Sequence, residues 1–91
     1  MSTSANPSIE DVERYNTSQL ENYLREKNGK NLNLIEQDFA IFRRERVDGR
    51  AFVKLTDVKL EKWGIPGGPA TNLMELINEL NNQSKFYHKI V

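Results

Sequence analysis

The chain has 91 residues, the length of a single small domain. Thirteen basic and thirteen acidic residues give a formal net charge of zero, whereas a dedicated nucleic-acid binder normally carries a basic excess. The sequence has no cysteine, which excludes disulfides and thiolate chemistry, and its one histidine, His88, argues against a histidine metal site or a Ser-His-Asp triad.

The first predicted element is a short helical turn after a polar leader. Residues 1–8 are expected to be a flexible leader, and they lack the basic and apolar regions of a signal peptide. Ser8 is a candidate N-cap for the turn that follows. Ile9, Val12 and Tyr15 recur at steps of three, which places them on one helix face.

The second predicted element is an amphipathic helix. Ser18 and Glu21 fit the capping-box pattern, with a hydroxyl at the N-cap and a carboxylate three residues on. The helix is expected to run to about Lys27, because the Asn28-Gly29 pair that follows is typical of a helix end.

The third predicted helix also begins with a capping pattern. Asn33 and Glu36 suggest a second capping pair, and Ile35 is expected on the apolar stripe of this helix. Arginines within 43–46 suit its C-terminal end, where cations interact favourably with the helix dipole. The segment 47–49 is expected to end the helix.

Two short elements are predicted next. Residues 51–55 suit one packed helical turn, and Thr56 is a candidate N-cap for a short helix over 57–62 in which Val58 faces inward. Gly49 and Gly64 each follow a predicted helix end, where a left-handed backbone favours glycine.

The last predicted helix is the longest. Residues 66–69 form a turn, and Pro69 suits the first turn of a helix that extends at least to Asn82. The tail 84–91 either continues this helix or begins a linker.

The chain is therefore predicted to be an all-α, compact five-helix bundle with a long C-terminal helix, since no alternation of period two appears. The domain is expected to span residues 9–83. Apolar side chains at helical spacing form the predicted core: Leu20, Tyr23, Leu24, Phe39, Phe42, Val47, Phe52, Leu55, Leu60, Ile65, Leu73, Ile77 and Leu80.

An ordered set of residues resembles a known family. In chain order the set is Tyr15, Leu20, Tyr23-Leu24, Phe42, Val47-Asp48-Gly49, Phe52 to Thr56, Trp63-Gly64-Ile65-Pro66, Gly68-Pro69 and an apolar helix from Leu73 to Leu80. This pattern resembles a sterile alpha motif (SAM) domain, particularly the variant common in fungal proteins, over residues 15–82. Each piece is weak by itself, but the ordered set is specific.

The resemblance implies a protein-interaction module that self-associates or pairs with another SAM domain head to tail, in open oligomers or filaments when the rotation does not close. It implies a mid-loop surface at Arg43, Arg46, Asp48, Arg50, Lys54 and Asp57. It implies an end-helix surface at Trp63, Pro66, Gly67, Gly68, Pro69, Ala70, Thr71, Asn72 and Met74. Asp48 or Asp57 would offer a carboxylate to the unpaired amides at the start of the last helix. Trp63 is interpreted as a core residue or as a partly exposed interface anchor.

The charges of these segments depart from the family pattern. In many SAM polymers the end-helix side is basic and the mid-loop side acidic. Here residues 43–62 hold seven bases and four acids, a net charge of +3, while residues 69–82 hold two acids and no base.

The alternatives are a monomeric adaptor for an unrelated protein and an RNA-hairpin binder, although residues 67–72 contain no base. We do not expect an enzyme, because the chain has no nucleophile–base set and is too small for a sizeable pocket. We expect no cofactor, metal or membrane span, and a cytoplasmic location.

Overall fold

The computed structural model describes the backbone of residues 7–90 and their side chains, except those of 30, 31 and 83–90. The predicted leader therefore lies largely outside the described residues. Within residues 7–90 there are six α-helices: α1 (Ile9–Glu13), α2 (Thr17–Lys27), α3 (Glu36–Arg44), α4 (Gly49–Phe52), α5 (Asp57–Trp63) and α6 (Gly67–Ile90). The all-α architecture with a long last helix is confirmed, with the short α1 preceding the five predicted helices.

Reciprocal caps start the first two helices. The Ser8 hydroxyl accepts a hydrogen bond from the Asp11 amide, and the Asp11 carboxylate accepts one from the Ser8 amide, as in a capping box. At α2 the same exchange joins Asn16 and Gln19, at 2.8 and 3.0 Å. The predicted start at Ser18 is wrong, because the Asn16 cap begins the helix two residues earlier.

The connection between α2 and α3 is a π-helical turn, Asn28–Leu32. The Asn28 side chain both donates to the Leu34 carbonyl and accepts from the Leu34 amide, which fixes the path of this turn. Asn33 has φ 63°, a left-handed conformation, so it is not the predicted N-cap, which needs an extended backbone. The Asp38 carboxylate instead accepts from the Ile35 amide at 3.0 Å and closes the first turn of α3.

The close approach of α1 and α4 explains why residue 49 is a glycine. The left-handed residue after α3 is Arg46, with φ 55°, and Gly49 has no positive φ, so the predicted role of Gly49 is wrong. A Cβ on Gly49 would collide with the carbonyl oxygen of Val12. Glycine is required here by the close approach of two backbones rather than by a left-handed turn.

The cap and the end of α5 follow their predictions, whereas α6 begins inside the predicted turn 66–69. The Thr56 hydroxyl accepts from the Lys59 amide at 3.2 Å and caps α5. Gly64 ends α5 with φ 95°, a conformation that favours glycine. Helix α6 begins at Gly67, which places Pro69 in its first turn, and extends to Ile90, so residues 84–90 are helical.

A single apolar cluster lies between the helices. All thirteen residues listed above for the core are buried, together with Ile9, Val12, Leu32, Leu34, Val53 and Ala70. Two predictions of inward-facing residues are wrong, because Ile35 is 56% exposed and Val58 is 64% exposed. Ile35 precedes α3, and Val58 lies two residues from the buried Leu60, on the opposite side of α5.

Candidate interaction surfaces

The start of α6 forms an open, nearly side-chain-free edge. Pro66, Gly67, Gly68 and Thr71 are exposed. The first-turn amide of Ala70 donates to the Pro66 carbonyl at 2.9 Å, while the amides of Gly67 and Gly68 meet no acceptor in the described part of the chain. A Cβ at either glycine would meet no heavy atom within 4 Å, so this edge is accessible to a partner.

Three residues expected on the end-helix surface have internal roles instead. Pro69 and Ala70 are buried, because the first turn of α6 directs them inward, and Ala70 belongs to the core cluster. The Asn72 side chain donates to the Leu32 carbonyl at 3.0 Å, which ties α6 to the π-helical turn. These three residues therefore contribute to stability more directly than to a surface.

A groove of about 470 Å³ runs between α5 and α6, which we call the α5–α6 groove. Its lining residues are Asp57, Glu61, Ile65, Gly67, Ala70, Thr71, Met74, Glu75 and Asn78. Three of these side chains are carboxylates and none is basic. Asp57, expected on the mid-loop surface, thus lies beside end-helix residues.

Glu61 and Glu75 are not among the residues that were expected at either surface. Asp57 and Glu61 are four residues apart on α5, and Thr71 and Glu75 are four residues apart on α6. Residues at this spacing lie on the same helix face. The spacing was the available signal, but the pairing of the two faces depends on how α5 packs on α6.

The mid-loop surface is basic in the structure. Arg46, Arg50 and Lys54 are exposed, and none forms an ion pair with a described residue. Asp48 is half-buried, and its carboxylate accepts from the Ala51 amide at 2.9 Å as the N-cap of α4. Asp48, one of the two carboxylates expected to contact a partner, therefore already accepts a hydrogen bond within its own chain.

Arg43 belongs to an ion-pair network that joins α2 to α3. Its Nε lies 2.9 Å from Glu21 Oε1, and Arg25 lies 2.8 Å from Glu21 and 2.7 Å from Glu36. The hydrogen bonds from Arg43 and then Arg25 lower the pKa of Glu21. The Arg25 guanidinium also lies 4.2 Å from the centre of the Phe39 ring. Arg43 thus has a structural role between the two helices.

Comparison with protein families settles the identity of this arrangement. A family model described as a SAM-like domain matches residues 1–79. The chain belongs to the SAM-like domain family. Members of this family generally mediate protein–protein interactions and are not generally enzymes. No curated protein and no solved structure matches the chain.

In this SAM-like domain Trp63 fits both roles expected for it, a core residue and a partly exposed interface anchor. Its ring meets the Phe42 ring edge-on, with centroids 6.4 Å apart and an interplanar angle of 79°. The residue is only half-buried, at the C-terminal end of α5. Trp63 therefore packs on the core and retains an accessible portion beside the end-helix surface.

A second groove of the SAM-like domain, about 500 Å³, lies beside α3. It is lined by Ile35, Gln37, Asp38, Ala40, Ile41, Arg44, Gly64 and Pro66. The exposed Ile35 and the half-buried Ile41 make it more apolar than the α5–α6 groove. The sequence did not predict this second groove, because the groove depends on how the turn after α5 packs against α3.

Metal-binding clusters and membrane-spanning helices are both absent from the part of the SAM-like domain that the structure describes. Among those residues no group of three or more His, Cys, Asp or Glu side chains is placed to hold a metal ion. Among them, too, no helix combines enough length and hydropathy to cross a bilayer.

Proposed function

We propose that this SAM-like domain self-associates head to tail, or pairs with another SAM domain, through its mid-loop and end-helix surfaces. The observation that carries the proposal is the presence of two different exposed patches on one chain with opposite charge. The mid-loop patch contributes Arg46, Arg50 and Lys54, and the groove beside the end-helix edge contributes Asp57 and Glu61. Family membership supports an interaction role.

Two unlike patches on one molecule favour a heterologous contact. In such a contact each copy uses one patch toward its predecessor and the other toward its successor. The assembly is a ring if the rotation closes and an open filament if it does not. A net charge of zero removes the long-range repulsion that would oppose the approach of identical copies.

RNA binding receives less support. The α5–α6 groove next to the start of α6 carries three carboxylates, which repel a phosphate backbone. The mid-loop bases that form no ion pair with a described residue, Arg46, Arg50 and Lys54, are few for a phosphate-binding surface. A cytoplasmic location stays a prediction, to be checked from the distribution of a fluorescently tagged chain.

Sedimentation velocity across a concentration series tests the proposal. We expect the mass to rise with concentration, whereas a strict monomer up to about 1 mM would reject self-association. Binding to an unrelated protein by such a monomer would favour the adaptor alternative.

Two steric variants test the head-to-tail arrangement without altering charge. Gly68→Tyr blocks the end-helix edge, where a new side chain has open space, and Ala51→Tyr blocks α4, where Ala51 is exposed. Each variant alone is expected to be monomeric, and an equimolar mixture to form a dimer through the one intact contact. A mixture that stays monomeric would reject the two-patch arrangement, and Asn22→Tyr on exposed α2 serves as the control.

A further inference from the structure

The α5–α6 groove combines an apolar floor with an acidic rim. Ile65 and Ala70 are buried at its base, and Met74 is half-buried beside them. Glu61 and Glu75 supply rim carboxylates from the two helices, and neither forms an ion pair with a described residue. An apolar floor with carboxylates at its rim suits a cationic side chain, whereas a site made of helix amides alone suits an anion.

An arginine side chain fits such a groove better than other occupants. Its methylene stem packs on apolar surface while its guanidinium reaches the charged rim. The planar guanidinium also donates two parallel hydrogen bonds to a carboxylate, which a lysine ammonium does not. Arginine is accordingly frequent among the residues that dominate interface energetics.

Two arginines of the mid-loop surface form no ion pair with a described residue. Arg46 lies in the left-handed turn between α3 and α4, and Arg50 lies on α4. Both are exposed and neither forms an ion pair with a described residue. Arg25, Arg43 and Arg44, by contrast, are bound to carboxylates within the chain.

We infer that the α5–α6 groove of one copy receives Arg46 and Arg50 of a second copy. This inference rests on the proposed self-association. It states which charge each side of the contact carries: carboxylates at the end-helix side and arginines at the mid-loop side. Charge complementarity between the two patches identifies a second copy as the occupant.

The reverse polarity, with Asp48 offered to the free amides of α6, is disfavoured. Gly67 lines the same groove as Asp57, Glu61 and Glu75. An incoming carboxylate would gain the partial positive charge of a helix start, about half an elementary charge, and would meet three negative side chains. Asp48 also caps α4 through its Oδ1, so part of its acceptor capacity is already used within its own chain.

Charge reversal tests the inference. The variants Glu61→Lys/Glu75→Lys and Arg46→Glu/Arg50→Glu each reverse one side, and each is expected to weaken self-association about tenfold or more. The chain carrying all four substitutions restores opposite charges across the contact and is expected to recover most of the affinity. Association of the wild type should also weaken with added salt.

The controls separate folding from binding. Glu26→Lys reverses an exposed charge on α2 and should leave association unchanged, and thermal melting verifies that every variant is folded. Glu61→Gln/Glu75→Gln removes the charges with little change of shape and should weaken association in the same direction by a smaller factor.

Failure of this inference can be distinguished from failure of the proposed self-association. The inference is overturned, while head-to-tail assembly stands, if neither double variant changes the affinity of self-association. It is also overturned if the quadruple variant self-associates as weakly as the double variants. A wild type that is monomeric in the concentration series overturns both.

Discussion

The backbone N–H of Gly49 donates a hydrogen bond to the carbonyl oxygen of Tyr15, with an N···O distance of 2.9 Å. The bond ties the start of α4 to the residues after α1. Beside it, the Cα of Gly49 lies so close to the Val12 carbonyl that no Cβ can be placed there. The α4 turn, which carries Arg50, is therefore held in place by backbone contact as well as by the core.

Gly49→Ala is expected to lower the free energy of unfolding by about 3 kcal/mol, the upper part of the range for overpacking, because α1 and α4 must separate. Urea denaturation measures the change. Gly68→Ala is the matched control, since its Cβ meets open space and alanine restricts the unfolded chain; it should stabilise by about 0.5 kcal/mol. Equal effects at the two glycines would contradict the close approach.

Leu73→Ala is expected to lower the free energy of unfolding by about 2–5 kcal/mol, because Leu73 is fully buried in the core and its truncation leaves a cavity. Val58→Ala should change stability by less than about 0.5 kcal/mol, because Val58 is exposed. Thermal or urea denaturation compares the two variants. A comparable loss at Val58 would show that it is covered, for example by a second copy.

Glu21→Gln is expected to lower the free energy of unfolding by about 0.5–1 kcal/mol at neutral pH, because it breaks ion pairs to Arg43 and Arg25. These arginines hold the pKa of Glu21 below its ordinary value, so its contribution is present above about pH 5 and is lost as the pH falls through the folded-state pKa.

Urea denaturation of wild type and Glu21→Gln at several pH values checks this expectation. The difference in unfolding free energy should shrink as the solution is acidified. Glu26→Gln on the same helix is the control, because Glu26 is exposed and forms no ion pair with a described residue. A pH-independent difference would contradict the assigned role of Glu21.

Tyr23→Phe is expected to reduce the alkaline sensitivity of the fold. Burial, followed by the nearby Tyr15 and Glu79, raises the pKa of Tyr23 to about 12. Above about pH 10 the unfolded chain loses this proton before the folded one, so stability falls by up to about 1.4 kcal/mol per pH unit until the folded-state pKa is reached.

Thermal melting between neutral and strongly alkaline pH measures the effect. The wild type should lose stability more steeply than Tyr23→Phe above about pH 10. The lysines titrate in both proteins, so the difference between the two curves reports Tyr23. Parallel curves would show that the Tyr23 hydroxyl reaches solvent in the folded state.

Much of the fold was predictable from local pattern. The residues from Leu20 to Leu80 that recur at helical spacing lie buried, and Gly64 ends α5 in the left-handed conformation expected of it. The cap of α2 was misplaced because two overlapping patterns, at Asn16 and at Ser18, compete over two residues. Only the folded chain shows which one is used.

The candidate surfaces were less predictable. The family resemblance placed Ala70 and Asn72 on the end-helix surface, whereas Ala70 is buried in the core and the Asn72 side chain is hydrogen-bonded to the Leu32 carbonyl. It placed Asp57 with the mid-loop residues, whereas Asp57 shares a groove with Gly67 and Thr71. Local spacing defines one face of one helix and does not specify which other face it meets.

The net charge of zero illustrates the same limit of prediction from local pattern. The sequence by itself determined that the charges cancel, that the chain is helical and which side chains are apolar, because these depend on composition and on helical spacing. Only the tertiary structure decided that Asp57, Glu61 and Glu75 meet in one groove while Arg46 and Arg50 form no ion pair with a described residue. The physical reason is that electrostatic interaction depends on distances between side chains, which packing sets across elements far apart in the chain.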